Sequence, residues 1–319
     1  ETVKSHGQNL IKGLNNLLND VTDDGQLRIR MTDTSAFEMG KNVATTPGKV
    51  IFQNELFQLI QYDPATPDQY KRPFLIVPPW INKYYILDLR EKNSMVKWAT
   101  DQGYTTFIIS WINPDEKLAA KTFEDYLLQG SMEAITQVCA QTGEDSVNMA
   151  GYCLGGTLVM TTLAYMAAKK DKRGNSGTFF TTMLDFSEPG ELRVFLGEDT
   201  VAGLEKKMFA RGYHDGGMMA GTFNMLRAND LIWSFVVNNY LLGKDPFPFD
   251  LLFWNSDSTR LPAAMHSYYL RNMYLENNLV KPGHLTLGGV KIDLRKVKVP
   301  CYFISTVEDH IAPWKSTYM

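Results

Sequence analysis

Leu10, Ile11, Leu14, Leu17 and Leu18 recur every three or four positions, which predicts a helix over residues 1–20 with one apolar side. Further on the period shortens to that of strands. Leu27–Met31, Lys49–Phe52 and Leu56–Tyr62 are short strand-like runs, and the last two lie close enough to form a hairpin. After Tyr62 come Phe74–Val77, Thr105–Trp111, Ser146–Ala150, Phe179–Asp185 and Pro300–Thr306, all apolar or β-branched. Helical stretches separate the first of them: Ser94–Gln102, capped by Asn93 or Ser94, and Thr122–Thr142. Short strands alternating with helices make βαβ units, and so a mostly parallel sheet with helices on both faces.

One interval breaks the alternation. Between Phe186 and about Val299 no sheet-like run occurs, a gap far longer than a crossover needs. Methionines and aromatics crowd it instead, among them Met208, Met218, Met219, Trp233, Phe253 and Trp254, with turns at Gly216-Gly217 and Gly288-Gly289. A second hydrophobic core would account for these residues. A cap accounts for their position too, because the insertion follows the C-terminal end of a strand, where open α/β sheets hold their sites. The expected division is 1–185 as the first part of the core, 186–274 as the cap and 275–319 as the second part of the core.

Composition narrows the classes. Of 319 residues, 44% are hydrophobic and 21% charged, which excludes a disordered, collagen-like or coiled-coil chain. A net charge of −3 gives no basic field for nucleic acid or anionic lipid. Residues 1–10 lack the basic-then-apolar pattern of a signal peptide. Ser146–Ala168 carries no charge, yet its glycines, threonines and Asn148 suit a strand, turn and helix better than a membrane span. Cys139, Cys153 and Cys301 are too few for a disulfide framework, and their odd number reads as a reducing compartment.

Gly151-Tyr152-Cys153-Leu154-Gly155-Gly156 sits between a predicted strand and a predicted helix, the context of a nucleophile elbow. The nucleophile there stands clear on a strained turn, and its neighbours two residues away must be small. The helix N-terminus should lower the thiol pKa, so Cys153 should alkylate faster than Cys139 or Cys301, provided its site is open. One oxyanion donor is expected to be the Leu154 N–H. The second should come from the loop after Phe74–Val77, where Pro78 and Pro79 have no N–H and leave Trp80 or Ile81. The acid should follow a later strand. Asp309 is the better candidate there and Glu308 its rival, although most loop carboxylates are merely solvated.

The base is the difficulty. Among His6, His214, His266, His284 and His310, only His310 follows Asp309, and adjacent side chains diverge. His214, His266 and His284 read as ordinary polar residues in or near the cap. The expected base lies beyond Met319, with the chain a fragment.

Several motifs together resemble the poly(hydroxyalkanoate) synthase family, most closely its class I type. They are Val77-Pro78-Pro79-Trp80-Ile81-Asn82-Lys83-Tyr84-Tyr85-Ile86-Leu87-Asp88-Leu89, Ser110-Trp111 with Asn113-Pro114-Asp115, and the lipase-like box around Cys153. Phe249-Asp250-Leu251-Leu252-Phe253-Trp254-Asn255-Ser256-Asp257-Ser258-Thr259 and Glu308-Asp309-His310-Ile311-Ala312-Pro313-Trp314 complete them. The resemblance implies an α/β-hydrolase fold with an inserted cap, and Cys153 and Asp309 as catalytic residues. It also implies dimerisation through the cap and a cytoplasmic location at the surface of polyhydroxyalkanoate granules. The substrate it implies is (R)-3-hydroxyacyl-CoA, with 3-hydroxybutyryl-CoA foremost, and the product a growing polyester chain. No cofactor is implied beyond the CoA that the substrate carries, and no metal. Relative to that family, the N-terminal domain and the C-terminal Gly-His segment are expected to lie outside this chain. Two other readings compete. A cysteine esterase, thioesterase or polymer depolymerase on the same fold would release free hydroxy acid. An inactive granule-associated scaffold would have no need of a strained cysteine turn.

Overall fold

The alternating runs assemble into one seven-stranded sheet. A computed structural model describes residues 1–23, 25 and 27–318. In chain order the strands are β1 (Gly48–Gln53), β2 (Phe57–Tyr62), β3 (Tyr70–Val77), β4 (Tyr104–Trp111), β5 (Val147–Tyr152), β6 (Gly174–Phe180), β7 (Tyr213–His214), β8 (Leu261–Pro262), β9 (Thr286–Leu287), β10 (Val290–Lys291) and β11 (Cys301–Ile304). The sheet runs β1-β2-β4-β3-β5-β6-β11. The hairpin β1–β2 and the pair β2–β4 are antiparallel, and every later pairing is parallel. This is the α/β-hydrolase arrangement read from the sequence.

Period-two burial gives the sheet its two covered faces. Leu75, Val77, Phe107 and Ile109 join one cluster with Phe123, Ile135, Leu158 and Leu163 of the helical stretches 123–142 and 154–169. Ile76 and Ile108, one residue out of step, meet Val96 of the helix Met95–Asp101 on the other face. Ser94 caps that helix by accepting from the Lys97 N–H at 2.9 Å. The stretch 123–142 starts at a capping box between Thr122 and Asp125 and widens into a π-helical turn at Tyr126–Met132. Gly130 lies in that turn, where a Cβ would come within 2.7 Å of the Trp111 ring.

Three expectations are displaced. Leu27–Met31 forms no strand, and Leu27 makes a single bridge to Val21. The run expected at Phe179–Asp185 is a strand at Gly174–Phe180, and Thr181 then turns the chain aside at φ 43°. Met183, Leu184 and Phe186 are buried beyond it without joining the sheet. The N-terminal helix, Gln8–Asp20, forms with its apolar side outward: Leu10, Ile11, Leu14 and Leu18 are exposed, while Asn9, Gly13, Asn16 and Asp20 face the protein. Their partners explain the inversion. Asn9 Nδ2 donates to the Leu241 carbonyl at 2.7 Å, and Asn16 Nδ2 to the Asn239 and Lys244 carbonyls at 3.1 Å. Tyr240 Oη donates to Asp20 at 2.7 Å, and Gly13 leaves no room for a Cβ against the Tyr240 carbonyl. Saturated buried hydrogen bonds have outweighed the apolar stripe.

Between β6 and β11 the chain adds no strand to the main sheet. It forms the helices Glu198–Arg211, Gly216–Leu226, Asp250–Ser256 and Ala263–Tyr269, with π-helical turns at Asn229–Trp233, Val236–Leu241 and Leu270–Leu275. The ribbon β7–β8 pairs Tyr213 with Pro262 and His214 with Leu261. Among the described residues no helix is long and apolar enough to cross a membrane.

Candidate active site at the end of β5

Cys153 stands between β5 and the helix Leu154–Lys169 with φ 50° and ψ −125°, a conformation that strains a residue carrying a Cβ. Its N–H donates to the Phe180 carbonyl at 3.0 Å, which ties the turn to the end of β6. The neighbours must be glycine for contact reasons. A Cβ on Gly151 would lie 2.6 Å from Gly156 Cα, and one on Gly155 would strike the Val77 carbonyl. Gly156 has no such room either, against the Thr182 side chain. The turn is therefore wedged between β3, β6 and its own helix.

The helix end does not win the electrostatic contest at the sulfur. Burial pushes the Cys153 thiol up to about 11, the Leu154 N–H pulls it down by less, and the Asp309 charge raises it further. This corrects the expectation of a lowered pKa. Cys301, exposed on β11, is expected to alkylate faster than Cys153. The Cys153 rate should rise about tenfold per pH unit from pH 7 toward 11, because only the thiolate reacts. Iodoacetamide labelling followed by peptide mass spectrometry checks both. A Cys153 rate that is flat above pH 7 would mean a thiolate already formed.

Trp80, Ile81 and Leu154 line one cavity of about 390 Å³. Its wall continues into the insertion through Leu204, Met219, Phe223 and Leu270. Trp80 is buried, its ring edge-on to Phe123, Tyr126 and Tyr269. Two side chains clamp the loop that carries it. Trp111 Nε1 donates to the Pro78 carbonyl at 2.8 Å, and Thr259 Oγ1 to the Trp80 carbonyl at 3.0 Å. A trans peptide sets its N–H opposite its C=O, so the bond from Thr259 also fixes the direction of the Ile81 N–H.

The two carboxylate candidates are placed differently. Asp309 is half-buried, its Oδ1 accepts from the Ile311 and Ala312 N–H groups at 2.9 and 2.8 Å, and its charge reaches Cys153. Glu308 is exposed and does not act on the thiol. Among the described residues no histidine acts on it either. His6 and His284 are exposed. The His310 carbonyl accepts from the Glu191 N–H at 3.0 Å. His214 and His266 stack on each other in the insertion.

Two residues were not singled out from the sequence. Tyr269 and Tyr274 line the cavity and lie near enough to Cys153 for its charge to raise both, burial being the larger cause. Their rings meet at 5.6 Å across the π-helical turn Leu270–Leu275. A spacing of five residues gives no α-helical signal, but a π turn stacks such residues together.

Two family models match the chain. One, described as poly-beta-hydroxybutyrate polymerase (PhaC) N-terminus, covers residues 1–99, which corrects the expectation that the family's N-terminal part lies wholly outside the chain; the other, described as alpha/beta hydrolase fold, covers residues 73–319. The poly(3-hydroxyalkanoate) polymerase subunit PhaC of Rhizobium meliloti is 54% identical over 100% of the chain and 52% of its own length. The poly(3-hydroxyalkanoate) polymerase of Methylorubrum extorquens is 54% identical over 100% of the chain and 53% of its own. The PhaC subunit of Cupriavidus necator is 45% identical over 99% and 54%. The chain thus spans about half the length of the curated relatives it matches.

Proposed function

Because the chain belongs to the alpha/beta hydrolase fold family and is related over its whole length to the poly(3-hydroxyalkanoate) polymerases, we propose that the protein it forms part of polymerises (R)-3-hydroxyacyl-CoA through Cys153. The observation that carries this reading is the cysteine on its wedged, positive-φ turn beside a largely apolar cavity.

The Cys153 sulfur attacks the thioester carbonyl, the bond from carbonyl to CoA sulfur breaks, and the thiol proton leaves with CoA. One thioester replaces another, so the acyl group stays activated. The 3-hydroxyl of the next unit then attacks the acyl-cysteine carbon; an oxoester forms, the carbon–sulfur bond breaks and the thiol is restored. A serine would form the oxoester one step early. The N–H groups of Leu154 and of Ile81 or Trp80 receive the oxyanion. A thiol held near 11 needs a base, and Asp309 either orients that base or helps draw the proton from the incoming hydroxyl. The insertion, residues 186–274, acts as a cap that keeps water from the acyl-enzyme, and as the face through which two copies pair. The product chain is a granule polyester, which places the enzyme at a granule surface. No cofactor beyond the substrate's CoA takes part.

The test is the acyl-enzyme itself. Brief incubation of the complete polymerase with (R)-3-hydroxybutyryl-CoA, acid quenching and peptide mapping should find the acyl group on the Cys153 peptide. Polymer should appear alongside released CoA. Acyl label elsewhere would overturn the nucleophile, and free 3-hydroxybutyrate as the main product would make the enzyme a thioesterase.

A further inference from the structure

His214 and His266 come from different elements, β7 and the helix Ala263–Tyr269, and the ribbon β7–β8 brings them together. Their rings lie parallel within 10°, with centroids 5.1 Å apart. Both residues are buried, at 6% and 5% exposure. No hydrogen bond among the described residues uses either ring, and His266 Nδ1 is buried without a partner. Buried polar atoms are nearly always satisfied, so an orphan on a residue that lines a cavity calls for a partner from the cavity, water or ligand. Both histidines line the cavity that also holds Trp80, Ile81 and Leu154.

Charge limits what that ligand can be. Burial is the main cause that lowers both pKa values, His266 to about 3; the His214 ring lowers His266 further, while the Asp215 charge raises His214 against its burial. Two neutral imidazoles present a bare nitrogen and an N–H each. A carboxylate would use the N–H groups alone, and an ester carbonyl likewise. A hydroxyl group can donate to one nitrogen and accept from another, so it satisfies both kinds.

We propose that His214 and His266 form the subsite that recognises the hydroxyl group of a 3-hydroxyacyl chain in the cavity. This rests on the proposed function for the identity of the chain, but not on Cys153 as nucleophile. Tyr269, three residues beyond His266 on the same helix, lines the same cavity and feels the Cys153 charge. The hydroxyl is thereby sorted by hydrogen bonding, and the hydrocarbon by the apolar wall.

Equilibrium binding of methyl (R)-3-hydroxybutyrate and of methyl butyrate to the complete polymerase carrying Cys153→Ala tests this without turnover. The hydroxy ester should bind about tenfold tighter, the net gain of about one ordinary hydrogen bond. His266→Phe keeps a stacked ring without nitrogen and should erase that preference, while His266→Gln should restore part of it. His214→Phe serves as a second variant should His266→Phe melt early. No preference in the Cys153→Ala protein, or an undiminished one in the phenylalanine variants, overturns the subsite. Acylation of the unmodified protein by butyryl-CoA, which has no 3-hydroxyl, reports separately on Cys153, so either reading can fail alone.

Discussion

Cys153→Ala is expected to abolish CoA release from (R)-3-hydroxybutyryl-CoA in the complete polymerase, a loss of about four orders of magnitude or more, as for removal of a nucleophile elsewhere. Cys139→Ala and Cys301→Ala should stay within about twofold of the parent. The contrast follows from position. Cys139 lies within the helix Glu133–Thr142, and Cys301, itself exposed, begins β11. Neither stands on a strained turn or beside oxyanion donors. Alanine at 153 removes the sulfur alone, and the glycines that wedge the turn remain, so the fold should survive. A thermal melt within a few degrees of the parent, paired with absent CoA release, is the expected pair of results. Normal turnover by the alanine variant would remove the covalent mechanism altogether.

The second large effect lies at Asp309. Asp309→Asn should slow turnover by about four orders of magnitude, as loss of a triad acid does elsewhere, whereas Glu308→Gln should cost less than tenfold. Asparagine keeps one carbonyl oxygen to accept from the Ile311 and Ala312 N–H groups, so the turn is preserved while the charge is lost. The thiol supplies a second readout of opposite sign. The Asp309 charge raises the Cys153 pKa, so its removal lowers it and increases the thiolate fraction at any pH below about 11. Asp309→Asn should therefore alkylate faster at Cys153 while polymerising more slowly. Slower alkylation together with slower turnover would indicate a collapsed site and not a missing acid.

The core strands were legible because their side chains obey a period that burial enforces: Leu75 and Val77 face one cluster, Ile76 the other. The elbow was legible because close contact excludes all but glycine at 151 and 155. What escaped the sequence depends on partners far along the chain. β6 begins with Gly174-Asn175-Ser176, which carries no apolar signal and is a strand because β5 lies beside it. The polar stripe Asn9, Gly13, Asn16 and Asp20 was as regular as the leucines, but its partners are residues 239–244. The thiol pKa was misjudged because a helix end is visible in sequence and burial is not. His214 and His266 read as ordinary polar residues until the ribbon β7–β8 set one on the other.

The bond from Thr259 to the Trp80 carbonyl works as an interlock. Thr259 belongs to the long insertion and Trp80 to the sheet's own loop, and both are buried. Were the proposed cap to carry residue 259 outward, the loop would keep its clamp at Pro78 but lose the one at Trp80, and the proposed Ile81 donor would lose the bond that aims it. On that reading, admission of a bulky acyl donor and stabilisation of its oxyanion belong to different states of one molecule.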